Sequence, residues 1–285
     1  MPQMTDLRTL LATARVQLAS DEAALEAELL LAVALGQPRS WLYAHADAVP
    51  AADTAARFAE LIARRTAGEP VAYLLGRRGF WTLDLQVGPE CLIPRPETEL
   101  LLEHALLRLP QDVPVRVADL GTGSGALALA VASERPLAEV WASDVSAAAL
   151  ECARANAQRL GLTRRVHFAE GDWCVALGAE RYAMLVSNPP YLAEDDEHLQ
   201  QGDLRFEPRM ALVSGAEGLD ALRVIIAAAP DHLEPRGWLL LEHGAGQGPP
   251  VRALLGARGF VEVHSLRDLQ AHERVSLGRW MQPAS

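Results

Sequence analysis

Gly121-Thr122-Gly123-Ser124-Gly125 joins two runs of opposite character, and this junction limits the possible folds more than any other segment. Before it, Val115-Arg116-Val117-Ala118-Asp119-Leu120 reads as a short strand. After it, Ala126-Leu127-Ala128-Leu129-Ala130 is rich in strong helix formers. Strand, glycine turn and helix is the opening of a parallel crossover unit. Strand-like runs recur at Glu139–Ser143, Val166–Glu170 and Ala183–Val186, and again near Trp238–Glu242, Val261–Ser265 and Arg274–Trp280. With helical stretches among them, the alternation predicts an α/β fold: a mostly parallel, seven-stranded, Rossmann-like sheet with helices on both faces.

In an open parallel sheet the ligand crevice lies outside the carboxyl ends of the strands. Four successive strands carry ligand-type residues at that end. The first ends in Asp119 and the glycine turn, whose pattern is G-x-G-x-G and not the dinucleotide pattern G-x-G-x-x-G. Glycines allow a tight turn and close approach of a ligand to backbone. An acidic residue beside them would repel a pyrophosphate but attract the sulfonium and ammonium of S-adenosylmethionine. The second strand ends at Asp144, which can accept hydrogen bonds from ribose hydroxyls. The third runs into Gly171-Asp172-Trp173, where an aromatic face can flank an adenine. Taken alone, Asp144 also reads as a helix N-cap and Trp173 as core.

The fourth strand ends in Asn188-Pro189-Pro190-Tyr191. Two consecutive prolines lack the N–H a sheet ladder needs, so the strand stops at Asn188. An isolated Asn-Pro also reads as a turn. In this setting the segment suits activation of a planar NH2 group. The Asn188 side-chain oxygen and the Pro189 carbonyl can hold its two N–H bonds and favour the partly positive nitrogen of the transition state. Tyr191 can cover the flat face of the substrate. The combined reading is a methyltransferase acting on a planar nitrogen.

The bulk properties narrow the classes. The 285 residues suffice for two domains, and no apolar run is long enough to span a bilayer. Met1-Pro2-Gln3-Met4-Thr5-Asp6 lacks a secretory pattern. Cys91, Cys152 and Cys174 show no metal-ligand spacing, and no H-E-x-x-H motif occurs, so reduced thiols in a cytoplasm and no catalytic metal are expected. All 26 basic residues are arginine and the net charge is −11, with no basic stripe of the kind a duplex-binding surface needs.

The chain divides into three parts. Residues 1–68 read as a small helical bundle. Leu10, Leu11, Ala14 and Leu18 keep helical spacing, Ser20 can cap a second helix ending at Gly36, and a third lies near Asp53–Thr66. Residues 69–95 read as a β-hairpin linker, with Phe80–Val87 as one strand, Gly88-Pro89 as the turn and Cys91-Leu92-Ile93 as the return. Residues 96–285 form the α/β domain, whose first helix, Leu100–Leu109, follows Pro94-Arg95-Pro96-Glu97-Thr98-Glu99, a well-capped helix start. Between Tyr191 and Leu219 periodicity is weak, as in a functional or mobile loop.

Several of these segments together resemble the bacterial peptide chain release factor glutamine methyltransferases. They are Glu69–Gly76, Leu92–Glu99, Asp119–Gly125 and Ser187–Tyr191. The Arg95-Pro96-Glu97-Thr98-Glu99 block is the specific part; the glycine loop is shared by many methyltransferases. The resemblance implies a class I S-adenosylmethionine-dependent methyltransferase fold. It implies methyl transfer to the side-chain nitrogen (N5) of the glutamine in the Gly-Gly-Gln motif of class 1 release factors, with S-adenosylhomocysteine as product. It places Gly121, Thr122, Gly123, Ser124, Gly125, Asp144, Trp173 and Asn188 at the donor. Asn188, Pro189, Pro190 and Tyr191 would lie at the glutamine, with Asn188, Pro189 and Tyr191 catalytic. The helical domain would grip the release factor, and a monomer without nucleic-acid or membrane partners is expected. Three alternatives stay open. One is a glutamine methyltransferase of a large-subunit ribosomal protein, disfavoured because that family has proline-arginine-serine-proline where Pro94-Arg95-Pro96-Glu97 stands. Another is an adenine-N6 nucleic-acid methyltransferase. The third is a non-catalytic module that docks on the translation apparatus.

Overall fold

The computed structural model describes residues 5–18 and 20–281. Met1–Met4, on which the expected lack of a leader partly rests, lie outside the described residues. The chain separates into two compact units, Met1–Arg77 with Gln200–Phe206, and Arg78–Leu199 with Glu207–Ser285.

The first unit contains α1 (Leu7–Leu18), α2 (Ala23–Leu35), α3 (Arg39–Ala44), α4 (Ala52–Thr66) and α5 (Val71–Leu75). Phe58, Leu61 and Ile62 fall on one face of α4 and are buried with Leu7, Leu30 and Leu31. Gly36 ends α2 in the left-handed conformation, as its position after the apolar run predicts. Ser20 does not act as the expected side-chain cap. Glu22 occupies the N-cap, and Ser20 contributes only its carbonyl, which accepts from Ala23 N at 3.1 Å. Helices α3 and α5 are too short to show periodicity. Arg65 donates two hydrogen bonds to the buried Glu26, at 3.0 and 2.9 Å, and a third to Asp203 at 3.4 Å. That third bond ties Gln200–Phe206 to this unit.

A hairpin of β1 (Arg77–Phe80) and β2 (Leu83–Gln86) follows, all but its first residue in the second unit. The hairpin therefore lies earlier than its sequence suggests. Trp81 takes a positive φ of 54° and makes the turn inside the expected single strand Phe80–Val87. Cys91-Leu92-Ile93 is not a strand, because its backbone bonds elsewhere: Cys91 N donates to Gly88 O and Ile93 N to the Glu207 carboxylate. Then follow α6 (Thr98–Arg108), β3 (Val115–Leu120), α7 (Ala126–Glu134), β4 (Ala138–Asp144), α8 (Ala147–Arg159), β5 (Val166–Glu170) and β6 (Tyr182–Ser187). After a segment of short 3-10 turns come α9 (Asp220–His232), β7 (Leu233–Glu242), α10 (Gly248–Arg258), β8 (Phe260–Arg267) and β9 (Glu273–Trp280).

The expected seven-stranded sheet has the order β5-β4-β3-β6-β7-β9-β8, parallel except for β9. Its period of two sorts side chains onto two cores. Val117, Met184, Val186 and Leu240 face α6 and α7, while Ala118, Leu185, Leu239 and Leu241 face α9 and α10. The alanines of α7 let that helix lie close to the sheet. Leu129 on α7 is fully buried. Leu129→Ala is expected to cost about 2–5 kcal/mol through lost burial and a residual cavity. Chemical denaturation checks this; an unchanged midpoint would show that α7 does not pack as described.

Candidate active site

Strand β3 pairs with β4 on one side and β6 on the other, so its carboxyl end is the point where the strand order reverses. Two hydrogen-bond sets fix that edge. Gly121 N and Thr122 N donate to Ser143 O on β4, at 2.9 and 2.8 Å. Ser187 Oγ on β6 donates to Leu120 O at 2.6 Å. The glycine turn and Asn188 are thereby held side by side.

A cleft opens at this edge. Gly121, Gly123, Asp144, Trp173, Asn188 and Pro190 all line it. The sequence-derived candidates Thr122, Ser124, Gly125, Pro189 and Tyr191 do not. Thr122 Oγ1 turns inward and donates to Asp119 at 2.6 Å. Ser124 is buried and its carbonyl accepts from Asn156 Nδ2 at 3.0 Å. Gly125 has a φ of 86°, and a Cβ there would stand 2.9 Å from Leu129 Cδ1, so it serves close packing of α7. Gly121, with a φ of 74°, lies against the Trp173 ring; a Cβ there would begin 3.0 Å from it.

Asp144 accepts from Gly123 N and from Ser146 N, each at 2.9 Å. The helix cap itself is Ser146, whose hydroxyl accepts from Ala149 N. Each Asp144 oxygen keeps a second lone pair for a ligand hydroxyl. Asp119 is buried at the floor of the turn. Its Oδ2 accepts from Thr122 and from Ala128 N, while Oδ1 has no hydrogen-bond partner among the described residues. Burial, with the nearby Asp144 charge adding to it, pushes its pKa up to about 7. Among the described residues, Glu90, Asp144 and Asp172 line the cleft and no arginine does.

On the β6 side, Asn188 Nδ2 donates to Thr98 Oγ1 at 3.0 Å. Tyr191 Oη donates to Glu242 Oε1 at 3.3 Å. Gln247 Nε2 donates to the Tyr191 carbonyl at 3.0 Å. Glu207 is buried, receives Ile93 N at 3.0 Å, and forms an ion pair with Arg95. It anchors the segment whose Pro208, Met210 and Ala211 form another wall. The 192–219 segment is itself pinned by a bridge between Leu192 and Val213. Sequence reasoning missed Thr98, Glu242, Gln247 and Glu207. Thr98 lay within a block read as helix capping, and the others carry no local pattern.

Cys91 and Cys152, distant in sequence, approach to 4.0 Å between sulfurs and form no disulfide. With Glu90 their ligand atoms lie within 4.8 Å of one another, a proximity that sequence spacing could not show. Among the described residues, no helix is long and apolar enough to cross a membrane.

Asp119 and Glu242 make stability depend on pH. Burial raises both pKa values to about 7, from 3.8 and 4.5. The folded chain then holds more protons than the unfolded one between these limits, so this contribution is full at low pH and is lost as pH rises through about 7. Asp119→Asn removes one of the two groups. Its melting temperature is expected to fall less than that of the wild type between about pH 5 and pH 8. Parallel profiles for the two proteins would contradict the assignment.

Family models place a PrmC N-terminal domain at residues 9–76 and a methyltransferase small domain at residues 96–204. The release factor glutamine methyltransferase of Xylella fastidiosa (strain Temecula1) is 56% identical over 89% of this chain and 92% of its own length. That of Pseudomonas aeruginosa is 53% identical over 97% of this chain and 99% of its own. The crystal structure of a methyltransferase from Pyrococcus furiosus matches the fold, with a TM-score of 0.54 at 16% identity over 76% of this chain and 96% of that one. With this identity along almost its whole length, the chain belongs to the release factor glutamine methyltransferase family.

Proposed function

We propose that this chain methylates the side-chain amide nitrogen of the glutamine in the Gly-Gly-Gln motif of class 1 release factors, with S-adenosylmethionine as donor. One observation carries the reading: Asn188 lines the same cleft as Gly121, Asp144 and Trp173, with its NH2 committed to Thr98. Its carbonyl oxygen is the end left for a substrate N–H.

The residues fit the donor. A cleft lined by carboxylates suits a ligand bearing a sulfonium and an ammonium group and opposes a pyrophosphate. Asp119 Oδ1 is a buried acceptor with capacity to spare. Asp144 would take ribose hydroxyls, Trp173 would flank the adenine, and Gly121 and Gly123 would admit the ligand to backbone contact. Thr122, Ser124 and Gly125 act one step back, by shaping the turn. When bound, S-adenosylmethionine supplies an electrophilic methyl group.

The chain's own task is to make a poor nucleophile attack. An amide nitrogen has its lone pair delocalised and is too weak an acid to lose a proton first. Asn188 Oδ1 and the Pro189 carbonyl would accept its two N–H bonds and stabilise the positive charge that grows on nitrogen. Tyr191, held at its hydroxyl by Glu242 and at its carbonyl by Gln247, would set the plane of the amide.

Asn188→Ala removes an acceptor that counts most as charge develops. Its single-turnover rate on a release factor is expected to fall by roughly 10²–10³, by analogy with loss of one preorganised oxyanion-hole donor. A near wild-type rate in a demonstrably folded variant would take Asn188 out of the mechanism.

Among its described residues, the helical unit within residues 1–68 gathers no cluster of catalytic residue types, and a role in gripping the release factor accounts for it. Mixing the full chain with a release factor is expected to slow hydrogen exchange at amides within α1–α4. Protection confined to residues 78–281 would remove that role.

A further inference from the structure

Cys91 and Cys152 belong to segments that meet only in the fold. Cys152 lies on α8, and Cys91 lies beyond β2 in a stretch whose Glu90, Cys91 and Leu92 line the cleft. Asn156, one turn further along α8 and fully buried, joins the two segments. Its Oδ1 accepts from Gln86 N at 2.7 Å, and its Nδ2 donates to Gln86 O at 2.9 Å and to Ser124 O at 3.0 Å. The end of β2 is thereby fixed against the helix, with the two sulfurs 4.0 Å apart. The Glu90 carboxylate completes the group, all three ligand atoms lying within 4.8 Å of one another.

Such a group suits a soft divalent cation. Two sulfurs sharing a tetrahedral Zn2+, each at about 2.3 Å from it, stand about 3.8 Å apart. The thiols therefore need almost no movement to take one. A disulfide would draw the same atoms to about 2.05 Å and shift the cleft wall with them. Exchanging the thiol protons for an ion also strands no acceptor. Cys152 Sγ donates to Gln86 O at 3.3 Å, and Cys91 Sγ to Gly88 O at 3.7 Å. Without those protons Gln86 O keeps its bond from Asn156, and Gly88 O keeps one from Cys91 N at 3.2 Å. Glu90 and Cys152 are half-buried, which gives an ion a way in and leaves a fourth position for water. Sulfur ligands disfavour Mg2+ and Ca2+, which take oxygen.

We propose that Cys91, Cys152 and Glu90 form a binding site for a thiophilic divalent cation of the zinc class, which fastens the wall of the cleft to α8. The site takes no part in the methyl transfer described above and is tested apart from it.

The test uses the full-length protein, stripped of metal with a chelator and kept in a phosphine reductant, with Zn2+ and Co2+ as probes. The Co2+ form should show thiolate-to-metal charge-transfer absorption that Zn2+ bleaches and excess Mg2+ does not. Saturating Zn2+ should raise the melting temperature. Cys91→Ser and Cys152→Ser should each lose the charge-transfer band and weaken Zn2+ in calorimetry by roughly a hundredfold, the upper end of what loss of an outer-shell partner costs. Glu90→Gln should keep the band and weaken Zn2+ by roughly tenfold. Cys174→Ala, at the third cysteine, which is packed in the core on the other face of the sheet, should bind as the wild type does. Circular dichroism checks that each variant folds, and if one serine variant does not, the other carries the comparison. A wild type without the charge-transfer band, or a band that survives both serine substitutions, overturns the proposal. Equal Zn2+ affinity in the wild type and the serine variants means an adventitious ion only and overturns it as well. An unchanged affinity in Glu90→Gln overturns the three-ligand site. None of these readouts uses a release factor or a methyl donor, so their failure and the failure of the methyl-transfer reading are separate results.

Discussion

The parallel pairing of β3 with β4 and β6 is the constraint from which the site follows. Pairing on both sides forces the chain to reverse its winding at β3, and the reversal leaves a crevice at the carboxyl edge. Backbone bonds from Gly121 and Thr122 to Ser143 seal one flank of that edge. The Ser187 hydroxyl on Leu120 O seals the other. The glycine turn ends at Gly125 and the Asn-Pro-Pro-Tyr segment begins only at Asn188, far along the chain. The sheet nevertheless brings a turn suited to ligand contact and a segment suited to an amide to one cleft.

The polar groups at this edge oppose the stability of the fold. Asp119 and Glu242 are carboxylates in the interior, each with one oxygen lacking a partner among the described residues, and burial raises the pKa of both to about 7. A folded chain retains such groups against a cost of about 1–3 kcal/mol for each unsatisfied group. Their position explains the retention. One lies beneath the glycine turn, where a cationic donor would meet negative charge. The other accepts the hydroxyl proton of Tyr191 and so helps hold the Asn-Pro-Pro-Tyr segment. The surrounding core of leucine, valine and alanine on both faces of the sheet supplies the offsetting burial.

Legibility in the sequence followed the range of each interaction. The strands and the glycine turn were readable because period-two burial and backbone chemistry are local. Asp144, Trp173 and Asn188 were readable because they lie at or just beyond strand ends. The hairpin was misplaced because its turn is made by Trp81 at a positive φ, which composition does not announce. Glu242, Gln247 and Glu207 were invisible for a different reason. Each acts on a residue far along the chain, Tyr191 or Arg95, and their own neighbours carry no motif. Thr98 was visible as a letter in the Arg95–Glu99 block, but only the fold shows its hydroxyl beside Asn188.

Whether this cleft joins a methyl donor to a glutamine amide is decided by mass spectrometry of a purified class 1 release factor after incubation with the protein and S-adenosylmethionine. The expected product has gained one methyl group, located by fragmentation on the glutamine of the Gly-Gly-Gln motif and absent when the donor is omitted. An unmodified glutamine, or a methyl group found on another residue, would refute the assignment of the cleft.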